Sequence, residues 1–163
     1  MKLIILDRDG VINEDSVHSI KSPEEWVPIE GSLEAISLLN KNGYTVVVAT
    51  NQSAIGKKLI SIVTLDNIHK KMQDLLNKKR GKIDKIFYCP HIEEDNCTCR
   101  KPKTGLMQKI KEHYSISLEK IPAIGDSTRD LEAYSKSEAQ PILVRTGNGK
   151  DVEKSKSFPS NTL

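Results

Sequence analysis

The stretch Lys2-Leu3-Ile4-Ile5-Leu6-Asp7-Arg8-Asp9-Gly10 passes directly from an apolar segment into two carboxylates. A short apolar run that ends in polar residues predicts a buried β-strand. Similar runs recur at 45–49, 83–88, 121–124 and 141–144. Helical patterns separate most of these runs, and strands that alternate with helices predict a parallel sheet covered on both faces. The sequence therefore predicts an α/β fold, a three-layer doubly wound parallel sheet.

Apolar residues at helical spacing predict four helices, at 32–40, 64–79, 107–113 and 130–135. Gly43 is placed to end the first helix, and Thr64 is expected to cap the second. His69 and His113 fall on these helices among lysines, so both are expected to be solvated. The segment 150–163 is rich in Lys and Ser, which predicts a loose or truncated C-terminal tail.

Length and composition exclude several classes of protein. The 163 residues predict a single domain over 1–163. A net charge of +3 and an aromatic content of 4% argue against a nucleic-acid binder. The N-terminal apolar run is too short for a signal peptide, and no run is long enough to cross a membrane. Three closely spaced cysteines fit a reducing compartment, so we expect a cytoplasmic protein.

Polar residues follow three of the predicted strands. Asp7 and Asp9 follow the first strand, the segment 50–53 follows the second, and Asp126 follows the fourth with Asp130 beyond it. Ligands bind beyond the carboxyl ends of parallel strands, so these groups should meet in one site. Each aspartate alone is better explained as a turn or N-cap residue. As a set, the carboxylates need a cation, and Mg²⁺ is the expected one.

Cys89, His91, Cys97 and Cys99 lie within eleven residues of one another. Three thiolates and one imidazole make the ligand set of a closed structural Zn²⁺ site. Free buried thiols are the alternative interpretation. We expect zinc, in a loop at about 89–99.

Four ordered motifs resemble those of the haloacid dehalogenase superfamily of phosphatases. They are the segments 6–13, 50–53 and 99–102, and the pair Gly125-Asp126 followed by Asp130. Within the superfamily, the chain is similar to the branch that contains D-glycero-D-manno-heptose 1,7-bisphosphate phosphatase and histidinol-phosphate phosphatase. The resemblance covers roughly residues 2–149. It implies a Rossmann-like sheet of the haloacid dehalogenase type, with a small zinc loop and no large cap domain.

The resemblance also implies the catalytic roles. Asp7 would be the nucleophile that forms an aspartyl phosphate, and Asp9 the general acid and base. Mg²⁺ would be held by the Asp7 and Asp126 side chains and by the backbone carbonyl of Asp9. Thr50 and Lys101 would hold the transferring oxygens.

Further residues are expected around this centre. Asp130 would orient Lys101 by an ion pair, and Arg100 would grip a second phosphate. The remaining expected substrate contacts are Asp15, His18, Asn51, Gln52 and Ser53.

The expected function is that of an Mg²⁺-dependent phosphomonoesterase acting on a sugar bisphosphate, with heptose 1,7-bisphosphate as the first candidate. Histidinol phosphate is the close alternative substrate. A catalytically inactive, zinc-stabilised binding module is the alternative from another class. A small phosphorylated metabolite is the expected partner, with no nucleic acid and no membrane, and the chain is expected to be a monomer.

Overall fold

Five strands form one parallel sheet in the computed structural model, which describes residues 1–163. The strands are β1 (Lys2–Leu6), β2 (Tyr44–Asn51), β3 (Lys85–Cys89), β4 (Pro122–Gly125) and β5 (Gln140–Leu143). All five coincide with predicted strands to within two residues at each end. Their order in the sheet is β3-β2-β1-β4-β5.

The order of the strands places a reversal of direction beside β1. The chain runs outward from β1 to β2 and β3, then returns to place β4 and β5 on the other side. Ile5 consequently pairs with Val47 on one side and with Ala123 on the other. A doubly wound sheet opens a crevice at this reversal, beyond the carboxyl ends of its strands.

Helices connect the strands. They are α1 (Ser32–Lys41), α2 (Ile62–Lys78), α3 (Gly105–Tyr114), α4 (Thr128–Lys136) and α5 (Gly149–Ser155). Short 3₁₀ helices lie at Pro23–Glu25 and Glu93–Asp95. The N-cap prediction for α2 is wrong, because the Ser61 hydroxyl caps the helix by accepting a hydrogen bond from the Thr64 N–H at 3.1 Å. None of the helices has the length and apolar character that a bilayer crossing needs.

Successive residues of the central strand enter different cores. Ile4 and Leu6 pack with residues of α1 and α2, whereas Leu3 and Ile5 pack with residues of α3 and α4. This alternation follows from the two-residue period of a strand. It gives the predicted three layers, with helices on both faces of the sheet. Trp26, from the loop before α1, is fully buried in the core on the α1 and α2 side.

The C-terminal segment differs from the predicted loose tail. Residues from Gly149 form α5, and the last residue lies beside β5. There the Leu163 N–H donates to Pro141 O at 3.0 Å, and the Leu143 N–H donates to Leu163 O at 2.8 Å. Hydrogen bonds between backbone groups stabilise this segment. The composition of its side chains, on which the prediction was based, does not show them.

Candidate active site

A polar cavity opens at the carboxyl edge of the sheet, where the reversal beside β1 predicts a crevice. The loops that follow β1, β2 and β4 supply most of its lining, together with the segment before α3 and the loop after β5. The predicted residues that line it are Asp7, Asp9, Asp15, Thr50, Asn51, Gln52, Ser53, Arg100, Lys101, Asp126 and Asp130. The structure thus brings together most of the predicted site.

Lys101 lies at the base of the cavity between two carboxylates. Its Nζ is 3.0 Å from Asp7 Oδ1 and 2.6 Å from Asp130 Oδ1, and it donates to Ala49 O at 2.7 Å. Burial opposes the charge of this amine, yet Asp130 and Asp7 hold the pKa of Lys101 well above its usual value. Lys101 is therefore a fixed positive charge beside Asp7.

Asp130 is held in turn by the start of its own helix. The Ser127 N–H and hydroxyl both donate to Asp130 Oδ2, at 3.1 and 2.7 Å, in a capping box at the start of α4. Although burial opposes ionisation, Lys101 and these hydrogen bonds keep the pKa of Asp130 below its usual value. The ion pair expected between Asp130 and Lys101 is present.

The buried carboxylates carry more negative charge than one lysine can balance. Oxygens of Asp7, Asp126 and Asp130 all lie within 4.8 Å of one another. Burial, with the charge of Asp130, raises the pKa of Asp7 to about 8, and burial raises the pKa of Asp126 to about 6. Such shifts mark carboxylates that a cation would stabilise. The residues fit Mg²⁺, which takes one or two carboxylates and keeps sites for water and phosphate.

Thr50, Asn51 and Gln52 link the end of β2 to the rest of the cavity. The Asn51 side chain clamps the backbone of Lys101: its Oδ1 accepts from the Lys101 N–H at 3.0 Å, and its Nδ2 donates to Lys101 O at 3.1 Å. Gln52 Nε2 donates to Thr50 Oγ1 and to Asp9 Oδ2, both at 2.9 Å. Asn51 and Gln52 therefore position other residues of the site as well as lining it.

Asp9 lies apart from the other three aspartates. Its carboxylate accepts hydrogen bonds from the guanidinium of Arg8, from Asn13 Nδ2 at 2.9 Å and from Gln52 Nε2. These donors face both of its oxygens. The Asp9 side chain is thus separate from the carboxylate cluster, and the resemblance assigns only its backbone carbonyl to the metal.

Asn148 is a site residue that the sequence reasoning missed. Its N–H and its Nδ2 donate to the same oxygen of Asp126, Oδ2, at 2.8 and 3.1 Å. Its Nδ2 is also 3.4 Å from Asp15 Oδ2. The loop after β5 therefore fixes one oxygen of Asp126. No motif marks this loop, although it follows the last strand at the same edge of the sheet.

The rim of the cavity differs from the prediction at two positions. His18 is exposed and does not line the cavity, whereas the neighbouring Ser16 and Ser19 do. Arg129, which the sequence reasoning missed, lines the cavity together with Arg100. The first turn of α4 brings Arg129 there, two residues after the N-cap Ser127. The rim thus carries two arginines.

Three cysteine sulfurs form the second cluster, but His91 does not join them. Cys97 Sγ lies 3.6 Å from Cys89 Sγ and 3.7 Å from Cys99 Sγ, close to the roughly 3.8 Å expected between tetrahedral zinc thiolates. The separation between Cys89 and Cys99 is shorter, at 2.8 Å. The cluster fits three ligands of a Zn²⁺ ion.

The role of His91 as the fourth zinc ligand stays a prediction. Its Nδ1 instead lies 3.4 Å from Asp95 Oδ2, because the 3₁₀ helix at Glu93–Asp95 presents that carboxylate to the ring. Spacing along the chain brings His91 near the thiols but does not set the direction of its ring.

Comparison with known proteins agrees with this geometry. Residues 2–155 match the family described as polynucleotide kinase 3 phosphatase. The D-glycero-beta-D-manno-heptose-1,7-bisphosphate 7-phosphatase of Pseudomonas putida is 50% identical over 163 residues, covering 100% of this chain and 93% of the relative. The chain belongs to the heptose bisphosphate phosphatase family of the haloacid dehalogenase superfamily.

Solved structures of this phosphatase family have the same fold. The D,D-heptose 1,7-bisphosphate phosphatase of Bordetella bronchiseptica, complexed with magnesium and phosphate, superposes with a TM-score of 0.98 at 47% identity. The match covers 99% of this phosphatase and 90% of that chain. The corresponding enzyme of Burkholderia thailandensis is 41% identical with a TM-score of 0.78, over 99% and 90% of the two chains. These matches confirm the predicted fold class and the predicted phosphatase activity.

Proposed function

We propose that this phosphatase is an Mg²⁺-dependent phosphomonoesterase that removes the 7-phosphate of D-glycero-β-D-manno-heptose 1,7-bisphosphate. The observation that carries the chemistry is the placement of Asp7 in the polar cavity, with Lys101 and Asp126 beside it. The choice of substrate is supported by relatives of that name that match over the whole chain.

In the first half of the reaction, Asp7 is the nucleophile. One of its oxygens attacks the phosphorus, the bond between phosphorus and the sugar oxygen breaks, and Asp9 gives a proton to that oxygen. The products are the dephosphorylated alcohol and an aspartyl phosphate on Asp7.

In the second half, a water molecule attacks the phosphorus of the aspartyl phosphate. Asp9, now a carboxylate, takes the proton of that water while the bond to Asp7 breaks. Inorganic phosphate leaves, Asp7 is again a carboxylate, and Asp9 carries the proton for the next cycle.

The site must also hold negative charge on the transferring oxygens. The Lys101 ammonium and the Thr50 hydroxyl supply positive charge and a donor there, fixed in advance by Asp130, Asn51 and Gln52. Bound Mg²⁺ would offset the repulsion between the Asp7 carboxylate and the phosphate.

Arg100 and Arg129 at the rim suit a second phosphate, because a guanidinium offers paired donors to phosphate oxygens. We expect Arg100→Ala to raise KM about 10-fold for the bisphosphate and much less for the monophosphate of the same sugar, since it removes a contact present in ground and transition states alike. Steady-state kinetics on the matched pair measures this. Arg145→Ala, which removes an exposed arginine paired with Glu153, is the control.

Phosphate release across a panel of substrates tests the proposal. The panel contains both anomers of heptose 1,7-bisphosphate, histidinol phosphate and a 3′-phosphorylated oligonucleotide, the last because of the description of the matched family. We expect the highest kcat/KM with a heptose bisphosphate. A higher kcat/KM with histidinol phosphate or with the oligonucleotide would mean that this compound, and not the heptose bisphosphate, is the substrate. No release from any compound with Mg²⁺ present would favour the inactive binding module.

The proposal extends to the setting of the enzyme. We propose that the enzyme is a monomer that acts on a small phosphorylated metabolite, which the polar cavity at the edge of the sheet would hold. The three free cysteines support a reducing compartment such as the cytoplasm.

A further inference from the structure

Arg8, between the two catalytic aspartates in sequence, is a fully buried arginine whose guanidinium pairs with Asp9. Its Nε and Nη2 donate to Asp9 Oδ1 at 3.0 and 2.8 Å, and Nη2 also approaches Oδ2 at 3.1 Å. A forked contact of this kind fixes both the position and the plane of a carboxylate. Arg8 does not line the cavity, so it can affect the reaction only through its contact with Asp9.

His69, on α2, holds the opposite side of this guanidinium. Its Nε2 lies 3.1 Å from Arg8 Nη1, and its ring packs at a tilt against Tyr88, with 6.4 Å between the ring centroids. The prediction that His69 is solvated is wrong, because the helix turns it toward the sheet and leaves it only partly exposed. Burial, together with the charge of Arg8, lowers the pKa of His69 to about 3. The ring is therefore neutral and accepts the hydrogen bond from Arg8.

Three side chains hold the Asp9 carboxylate in place. Arg8, Asn13 and Gln52 donate hydrogen bonds to its two oxygens, which together fix the position of the group. The carboxylate is the form that takes a proton from water in the second half of the reaction.

We infer that His69 is a positioning residue, which through Arg8 holds the Asp9 carboxylate in place to accept the proton of the water that hydrolyses the aspartyl phosphate. The inference rests on the proposed function, because it uses the role of Asp9 given there. Without the acceptor on His69, the Arg8 guanidinium keeps only its contact with Asp9. The Asp9 carboxylate can then move together with it. Hydrolysis of the phosphoenzyme then slows more than its formation.

p-Nitrophenyl phosphate separates the two halves of the reaction, because its leaving group departs without a proton. We expect His69→Leu to lower kcat for this substrate about 10-fold, a part of the roughly 10² to 10⁴-fold that a general base contributes. Since kcat/KM reports only the steps up to departure of the leaving group, we expect it to change less than about 3-fold. Rapid mixing should then show a burst of nitrophenolate equal to the enzyme concentration, and acid quenching should trap phosphoenzyme.

Two further substitutions at the same position separate positioning from packing. In His69→Gln the amide oxygen can reach the position of Nε2, so we expect near-normal kcat and no burst. In His69→Asn the amide oxygen is too short to reach Arg8, so we expect the burst again. His113→Leu, the same change at an exposed histidine of α3, is the control and should behave as the parent enzyme.

The outcomes are distinct. A normal kcat without a burst in His69→Leu overturns the inference. The inference is also overturned if kcat and kcat/KM fall equally in His69→Leu, the melting temperature falls with them, and His69→Gln does not restore activity. That pattern indicates that His69 contributes only packing. If His69→Leu does not fold, the contrast between Gln and Asn decides.

The variant Asp9→Asn shows whether a negative result with the His69 variants is due to an error in the proposed function instead. With p-nitrophenyl phosphate it should also accumulate phosphoenzyme. If it does, and the His69 variants do not, only the inference fails. If Asp9→Asn accumulates none, the role of Asp9 fails, and the inference falls with it.

Discussion

The charge balance around Asp7 supports its proposed role as the nucleophile that attacks an anionic phosphate. Asp7 faces Lys101 at 3.0 Å but shares that lysine with Asp130, which is closer at 2.6 Å. Asp130 therefore takes the larger part of the lysine's charge, and Asp7 retains an excess of negative potential. A nucleophile held in this way is reactive once a metal ion screens it.

At Asp7 we predict that substitution by Asn abolishes turnover without destabilising the protein. The loss should exceed about 10³-fold, because no other residue replaces the attacking oxygen. Since Asp7 is crowded by other carboxylates, the neutral amide should leave the melting temperature equal or higher. Phosphate release and thermal unfolding measure the two effects. Asp74→Asn, at an exposed aspartate paired with Lys70, is the matched control, and turnover near normal in Asp7→Asn would refute the assignment.

Single residues show how far sequence reasoning reaches. Asp7, Lys101, Asp126 and Asp130 could be predicted because each stands in an ordered motif that follows a strand or precedes a helix. Asn148 could not, because no motif lies near it in the sequence, and Arg129 was missed although it lies between Asp126 and Asp130 of the fourth motif. Their roles depend on which loops meet in three dimensions.

At the scale of elements, the strands were predictable and the loops were not. Apolar runs locate β1 and β2 because burial on both faces requires nearly continuous apolar sequence. The orientation of a side chain within a loop depends on hydrogen bonds between neighbours. His91 illustrates the difference, because its ring lies beside Asp95 and not among the cysteine sulfurs, and its spacing along the chain does not specify that orientation.

The cysteine loop yields a prediction about metal and stability. We expect about one zinc per chain, and we expect Cys97→Ser to lower the melting temperature and weaken catalysis indirectly. The indirect effect follows because Arg100 and Lys101 come directly after Cys99, and the Arg100 N–H donates to Cys97 Sγ at 3.3 Å. Metal analysis and thermal unfolding measure the outcome, with Thr98→Ser as control. Zinc-free protein that tolerates Cys97→Ser would mean that the cysteines are ordinary thiols.

The loop between β5 and α5 yields a second prediction at this scale. Gly147 has φ +54°, and a Cβ there would lie within 2.1 Å of Asp126 Oδ2 and 2.7 Å of Gly10 Cα. Gly147→Ala must therefore push this loop away from Asp126 and break the hydrogen bonds of Asn148. We expect the Mg²⁺ concentration for half-maximal activity to rise about 10-fold, from the roughly 1.4 kcal/mol of two weakened hydrogen bonds.

A matched glycine makes the Gly147 experiment interpretable. Gly43 also has a positive φ, +82°, but a Cβ there would meet nothing within 4 Å. Gly43→Ala should cost about 1 to 2 kcal/mol of stability through backbone strain alone, with an unchanged Mg²⁺ dependence. An equal Mg²⁺ dependence in the two variants would show that the loop does not support Asp126.

At the scale of the whole molecule, buried titratable groups change the stability of the fold with pH in opposite directions. Burial raises the pKa values of Asp7 and Asp126, so these groups favour the folded state as the pH falls. Burial lowers the pKa of His69, which disfavours the folded state over part of the same range. The pH dependence of stability in the parent enzyme is therefore a sum of opposing contributions. A single variant is needed to separate them.

We predict that His69→Gln removes the contribution of His69 to the pH dependence of the free energy of unfolding. In the unfolded chain His69 takes up a proton near pH 6.5, whereas in the folded protein it does so only near pH 3. Between these values the unfolded state binds more protons, so the free energy of unfolding falls as the pH falls. The slope is at most about 1.4 kcal/mol per pH unit, and partial exposure of the ring reduces it.

The measurement is the difference in free energy of unfolding between the parent enzyme and His69→Gln at pH 7.5, 6.5, 5.5 and 5.0. The contributions of Asp7 and Asp126 are common to both proteins and cancel in that difference. Arg8 keeps an acceptor in the Gln variant, so its burial costs the same in each. The parent should lose about 1 to 2 kcal/mol relative to the variant between pH 6.5 and 5.0. Parallel curves would mean that His69 is protonated in the folded protein, and its ring would then repel Arg8 instead of accepting a hydrogen bond from it.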